Sequence, residues 1–196
     1  LRASAAGPVR CLIPMLTSVR EVQMVRALLD EVRDELDRQG HPFDPAMPLG
    51  GMIEVPAAAL AVTDLAAELD FLSVGTNDLI QYALAADRVD EQVAHLYDPQ
   101  HPGVVSLLHT VFTAAGEAGL PVSVCGEMAG DRRYTRLLLA LGLREFSMPP
   151  ARLLEVKKVA LETDAGRARE ALDEWLMAPA AHAGAPLVEL LDQSQR

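Results

Sequence analysis

The most informative stretch of the chain is Asp70-Phe71-Leu72-Ser73-Val74-Gly75-Thr76-Asn77-Asp78-Leu79-Ile80-Gln81. It starts as a short apolar run, breaks at a glycine and places Thr76, Asn77 and Asp78 ahead of a helix-like sequence. That is the pattern of a buried strand delivering polar side chains to one end of a sheet, the edge where parallel α/β proteins do their chemistry. Glu54 stands near the end of another apolar run, Leu49 to Val55, and Cys125 ends the run Pro121 to Cys125. A carboxylate in such a place is expensive to bury unless it is paired or faces a cation. Two oxygen ligands from neighbouring strands are what Mg²⁺ commonly takes from a protein, with substrate and water completing its shell. Glu54 and Asp78 are therefore candidate metal ligands; the alternatives are that Glu54 caps a helix and that Asp78 is only an N-cap.

Backbone N–H groups from Gly75 to Asp78 at a helix N-terminus favour a phosphate or carboxylate. Cys125 faces the same rim and could act as nucleophile or acid; the alternative is a small apolar filler. Arg88, after the short helix that follows Asp78, could fold back as an anion clamp or be a solvated surface arginine. Cys11 lies inside its strand and reads as core. His41, His95, His101, His109 and His182 show no metal-ligand spacing and read as loop or surface residues.

The elements that must position these residues alternate. Strands are expected at Val9 to Met15, Leu49 to Val55, Phe71 to Val74, Pro121 to Cys125 and Glu145 to Met148. Helices are expected over Val19 to Gln39, Pro56 to Glu68, Asp78 to about Ala86, Val104 to Ala118, Arg132 to Leu141, Arg152 to Glu162 and Thr163 to Leu176. Ser18 and Glu21 have the spacing of a capping box. Residues 177–196 read as an Ala/Pro-rich tail with a brief apolar patch at Leu187 to Leu191. Strict strand–helix alternation with runs apolar throughout implies a parallel sheet covered on both faces. No Gly-x-Gly-x-x-Gly follows the first strand, and polar residues end several different strands. Both points favour a (β/α)8 barrel, of which five units make only a part.

Half of the 196 residues are hydrophobic and 4% aromatic, so the core is aliphatic. With 17 basic against 28 acidic residues the net charge is −11, and no basic stripe suggests a nucleic-acid partner. No run is long enough to cross a bilayer, and no signal peptide opens the chain. Two cysteines form neither a disulfide framework nor a zinc site, and a reducing cytoplasm is expected.

Four stretches occur together in order: Gly50 to Leu60 (GGMIEVPAAAL), Phe71 to Arg88 (FLSVGTNDLIQYALAADR), Val124 to Asp131 (VCGEMAGD) and Glu145 to Met148 (EFSM). From Leu1 to about Leu176 the chain resembles the C-terminal, phosphoenolpyruvate (PEP)-binding barrel of Enzyme I of the bacterial sugar phosphotransferase system. Pyruvate phosphate dikinase and PEP synthase belong to the same broad family. The resemblance implies that Glu54 and Asp78 hold Mg²⁺, that Asn77 and Asp78 contact the PEP phosphate, and that Arg88 binds PEP. It also implies that Cys125 protonates the enolate carbon to give pyruvate, and that the domain forms a homodimer. On this reading residues 1–176 are the last five units of the barrel. The first three strands with their arginines, and the domain with the phosphorylated histidine that serves the phosphocarrier protein, are missing. The expectation is a piece inactive alone. A dikinase or synthase fragment, or a non-catalytic dimerisation module, are the competing readings.

Overall fold

Five parallel strands stand side by side in chain order: β1 (Cys11–Ile13), β2 (Leu49–Ile53), β3 (Phe71–Gly75), β4 (Val122–Cys125) and β5 (Glu145–Phe146). The structure is a computed structural model that describes residues 1–177 and 186–195. His182 and the rest of residues 178–185 of the tail, with residue 196, lie outside the described residues. A doubly wound sheet reverses strand order at a switch point; here the order never reverses. It is the wall of a partial (β/α)8 barrel. Among the described residues, β1 and β5 each have a neighbour on one side only.

Helices make every crossover. Between β1 and β2 runs α1 (Val19–Arg38), and between β2 and β3 run α2 (Pro56–Leu60) and α3 (Val62–Ala66). Then α4 (Thr76–Leu84) and α5 (Pro102–Ala118) lead to β4, and α6 (Glu127–Gly130) and α7 (Thr135–Ala140) to β5. After β5 come α8 (Leu153–Leu161), α9 (Ala165–Met177) and α10 (Leu187–Gln193). The start of α1 is fixed by Glu21, whose Oε2 accepts from Thr17 N at 2.6 Å and Ser18 N at 3.0 Å.

The two faces of the sheet differ. Ile53, Leu72, Val74 and Val124 point to the helices and are buried. Alternation puts Gly50, Met52, Glu54, Phe71, Ser73, Gly75, Ser123 and Cys125 on the concave face. There Met52, Phe71, Ser123 and Cys125 remain half-exposed. Gly50 leaves room for the Phe71 ring, over which the Arg10 guanidinium lies 5.4 Å from the centroid.

Several boundaries differ from the expected ones. The helix expected over Pro56 to Glu68 breaks at Ala61 (φ −95°, ψ 15°). The break lets Ala58 and Ala59 on one side and Val62 and Leu65 on the other all reach the core, and β-branched Val62 and Thr63 weaken the propensity to continue. The helix expected from Asp78 starts two residues earlier, at Thr76, so Asp78 lies inside its first turn. It stops where Ala85 turns left-handed (φ 51°). Strand β5 is shorter than Glu145 to Met148: Ser147 N still donates to Val124 O at 2.9 Å, but Pro149 and Pro150 have no N–H to extend the ladder.

The apolar patch near the C-terminus is a helix. Leu187 and Leu191 of α10 are buried in the common core, and Asp192 pairs with Arg136 of α7 at 2.5 Å. Leu191→Ala should therefore destabilise the whole domain by about 2–5 kcal/mol in urea unfolding. An unchanged midpoint would show that α10 is not docked.

Candidate functional site

Glu54 follows Ile53, whose partner across the sheet is Val74, so its carboxylate stands level with Gly75. Gly75 in turn pairs with Cys125. Glu54 is only 4% exposed, and its Oε1 accepts from Met15 N at 2.8 Å. Gly75 makes this placement possible: a Cβ there would stand 2.7 Å from Glu54 Oε2 and 3.2 Å from Met52 Sδ. The first turn of α4 brings the Asp78 carboxylate beside Glu54. Burial pushes the Glu54 carboxyl above its usual range, the Met15 N–H opposes this, and the neighbouring Asp78 charge raises it further.

Two carboxylates crowded in this way are candidates to share a cation. The donor set is hard oxygen, and no cluster of three His, Cys, Asp or Glu side chains is found among the described residues. That is too few ligands for a closed zinc site. It fits Mg²⁺, which keeps several waters and takes one or two carboxylates together with substrate phosphate oxygens.

Two corners of the rim lock together. Thr76 Oγ1 donates to Cys125 O at 2.8 Å, and Asn77 Oδ1 accepts from Glu127 N at 2.9 Å. Gly126 sits between them at φ +88°, where a Cβ would strike Thr76 Oγ1 and stand 2.9 Å from Asn77 Oδ1. Tyr97 closes the corner from the long loop, donating to Asn77 O at 3.3 Å. Burial raises its phenol above the ordinary range, while the nearby Arg88 guanidinium opposes this and Glu127 and Asp78 add to it. Arg88, an exposed residue, thus stands beside Tyr97 at the margin of the site.

Cys125 Sγ receives a hydrogen bond from Ser73 Oγ at 3.9 Å and donates to Val74 O at 3.5 Å. Burial pushes the thiol up, the Ser73 hydrogen bond pulls it back, and the Glu54 and Asp78 charges raise it. A thiol kept protonated suits a proton donor better than a thiolate nucleophile. Cys11 is half-buried against the core, and His101 caps α5, accepting from Gly103 N at 3.1 Å. A cleft of about 890 Å³ opens beside Cys125 and Asn77 and continues past Glu127 to Arg132, Arg133 and Arg152. Asp131 neutralises Arg133 at 2.6 Å, and Glu155 lies 3.8 Å from Arg152.

Glu54, Asp78, Asn77 and Cys125 thus meet on one rim, with Arg88 reaching it through Tyr97. Residues 1–165 match the family described as PEP-utilising enzyme, PEP-binding domain. The chain belongs to this family. It is 52% identical over 178 residues to the phosphoenolpyruvate-protein phosphotransferase of Cupriavidus necator, covering 91% of this chain and 30% of that protein. With the protein of the same name from Haemophilus influenzae it shares 41% identity over 196 residues, 99% of this chain and 34% of the relative. The chain thus spans about a third of the length of these relatives. Its fold resembles a citrate lyase from Burkholderia xenovorans with a TM-score of 0.59 at 20% identity, over 99% of this chain and 66% of that one.

Thr76 stands at the rim where the residue pattern puts it, whereas Ser73 and Tyr97 join the site without having been singled out by the sequence. A serine inside the apolar run Phe71 to Val74 was a usable signal, since a buried hydroxyl needs a partner. Tyr97 lies twenty residues from Asn77 in a loop, and nothing local marks its destination.

Two outcomes follow for the metal-free protein. Gly75→Ala should cost about 1–3 kcal/mol in urea unfolding, because Glu54 must move from beneath the new methyl; an unchanged midpoint would refute the close approach. The raised Glu54 carboxyl contributes stability that is fully present below the unfolded carboxylate range and is lost as pH rises through the folded value. Glu54→Gln should therefore unfold at higher urea than wild type at neutral pH in EDTA, with the advantage shrinking in acid. A difference independent of pH would contradict the carboxylate crowding.

Proposed function

We propose that this chain supplies the metal-binding and acid-bearing wall of the active site of a PEP-protein phosphotransferase. In that reaction the phosphoryl group of PEP passes to a histidine of the enzyme and then to a phosphocarrier protein in sugar uptake. The observation that carries the reading is the crowded Glu54–Asp78 pair on the same rim as Cys125, in a chain of the PEP-binding family. The names of the relatives favour a histidine phosphotransferase over a dikinase or a synthase.

Glu54 and Asp78 would hold Mg²⁺, which neutralises phosphoryl oxygens and helps align the group for transfer. With Asn77 Oδ1 committed to Glu127 N, its NH₂ is the donor for phosphate, next to the N–H groups of the first turn of α4. Arg88, beside Tyr97, is the cation for PEP within this set. Cys125 gives its proton to the methylene carbon of enolpyruvate, which makes pyruvate and drives the transfer forward.

The remaining strands of the barrel would cover the open edges of β1 and β5, which are liabilities when left bare. Exposed Leu153, Leu154 and Leu161 on and around α8 support self-association of the domain as a homodimer. No described helix is long and apolar enough to cross a membrane.

Calorimetry tests the reading. PEP should bind the chain only when Mg²⁺ is present, and Asp78→Ala should abolish the heat. Mixed with PEP, Mg²⁺ and a phosphocarrier protein, the 196-residue chain should form no pyruvate. Equal PEP binding by wild type and Asp78→Ala, or steady pyruvate formation, would overturn it.

A further inference from the structure

Three side chains on the concave face form a one-way line. Ser123 Oγ donates to Ser73 Oγ at 3.1 Å, Ser73 Oγ donates to Cys125 Sγ at 3.9 Å, and Cys125 Sγ donates to Val74 O at 3.5 Å. Strand register builds it: Ser73 pairs with Ser123 and Gly75 with Cys125, so the hydroxyls lie one step beneath the thiol.

The direction of the line is set by its first member. Because Ser123 gives its hydrogen to the Ser73 oxygen, the Ser73 hydrogen points away from Ser123, toward sulfur. Ser73 is 5% exposed inside an otherwise apolar strand, a place where a hydroxyl is costly unless bonded. A thiol sulfur is a weak acceptor. A thiolate is a strong one, because hydrogen bonds to an ionised group are shorter and roughly twice as strong. The donor is therefore spent on an atom that rewards it little at rest and more once its proton has left.

We propose that Ser73, oriented by Ser123, is a positioning residue for proton transfer, holding the Cys125 sulfur and stabilising the thiolate formed there. This rests on Cys125 being the proton donor. In the step, the S–H bond of Cys125 breaks and its electron pair stays on sulfur. The C=C pair of the enolate left by phosphoryl transfer forms the new C–H bond while a lone pair of the enolate oxygen closes the C=O, giving pyruvate. The Ser73 O–H bond to sulfur tightens, and water later returns a proton to the thiolate. A serine that only fills space would leave the sulfur unaffected.

The test uses the complete chain with Cys11→Ala, which leaves Cys125 as its single thiol, free of metal and PEP. Iodoacetamide reads the thiolate at one fixed pH, and the infrared S–H stretching band reads the resting thiol. Ser73→Ala should slow alkylation about five-fold, the worth of one hydrogen bond, and move the S–H band to higher frequency. Ser73→Thr should restore both, and Ser123→Ala should show a smaller change of the same sign. Alkylation that is unchanged or faster in Ser73→Ala, or a loss that Ser73→Thr does not rescue, would overturn the proposal. If circular dichroism shows that Ser73→Ala is unfolded, Ser123→Ala decides: an unchanged rate and band refute it. PEP takes no part, so failure of Cys125 as the donor would appear separately, as pyruvate formation that survives Cys125→Ala in the whole enzyme.

Discussion

Two carboxylates held side by side at the end of a sheet are the constraint to which the rest of the site conforms. Glu54 is buried, receives one N–H from Met15, and has the Asp78 charge beside it. Without a cation that arrangement opposes the fold; on the proposed function it would serve as a set of hard ligands for one. The surrounding residues make room for it. Gly75 omits the Cβ that would strike Glu54 Oε2, and α4 begins early enough for its first turn to carry Asp78 inward. On the proposed function, a chain of net charge −11 would need such a cation to take up a phosphate.

Rigidity comes from the way the corners are joined. Thr76 and Asn77, at the start of α4, hydrogen-bond to Cys125 O and Glu127 N at the end of β4. Gly126 admits this contact through its positive φ. Asp78 and Asn77, the proposed metal ligand and anion donor, and the Cys125 thiol are thus carried on two strand ends tied directly to each other. Arg88 is different: it is exposed, follows the left-handed Ala85, and meets the site through Tyr97.

Much of this was readable from residue order. Strand β3 and the residues after it were marked by an apolar run meeting Gly75, and Glu54 and Cys125 by polar types at the ends of other runs. Local pattern reaches that far because strand ends depend on nearest neighbours in sequence. It could not show that Pro56 to Glu68 breaks at Ala61, since helix propensity favours continuation and only packing of Val62 and Leu65 rewards the break. Nor could it show Ser123 behind Ser73, because that pairing depends on strand register fifty residues apart. The docking of α10 is a tertiary event as well: seven residues make no stable helix without the core that buries Leu187 and Leu191.

The central claim is that Glu54 and Asp78 form one cation site that also carries the PEP phosphate. Mn²⁺ in place of Mg²⁺ makes that claim visible, because a bound paramagnetic ion broadens the phosphorus resonance of any PEP coordinated to it. The account predicts strong broadening of the PEP line by catalytic amounts of wild-type chain and Mn²⁺, lost in Asp78→Asn and in Glu54→Gln. Equal broadening in wild type and both variants would contradict it.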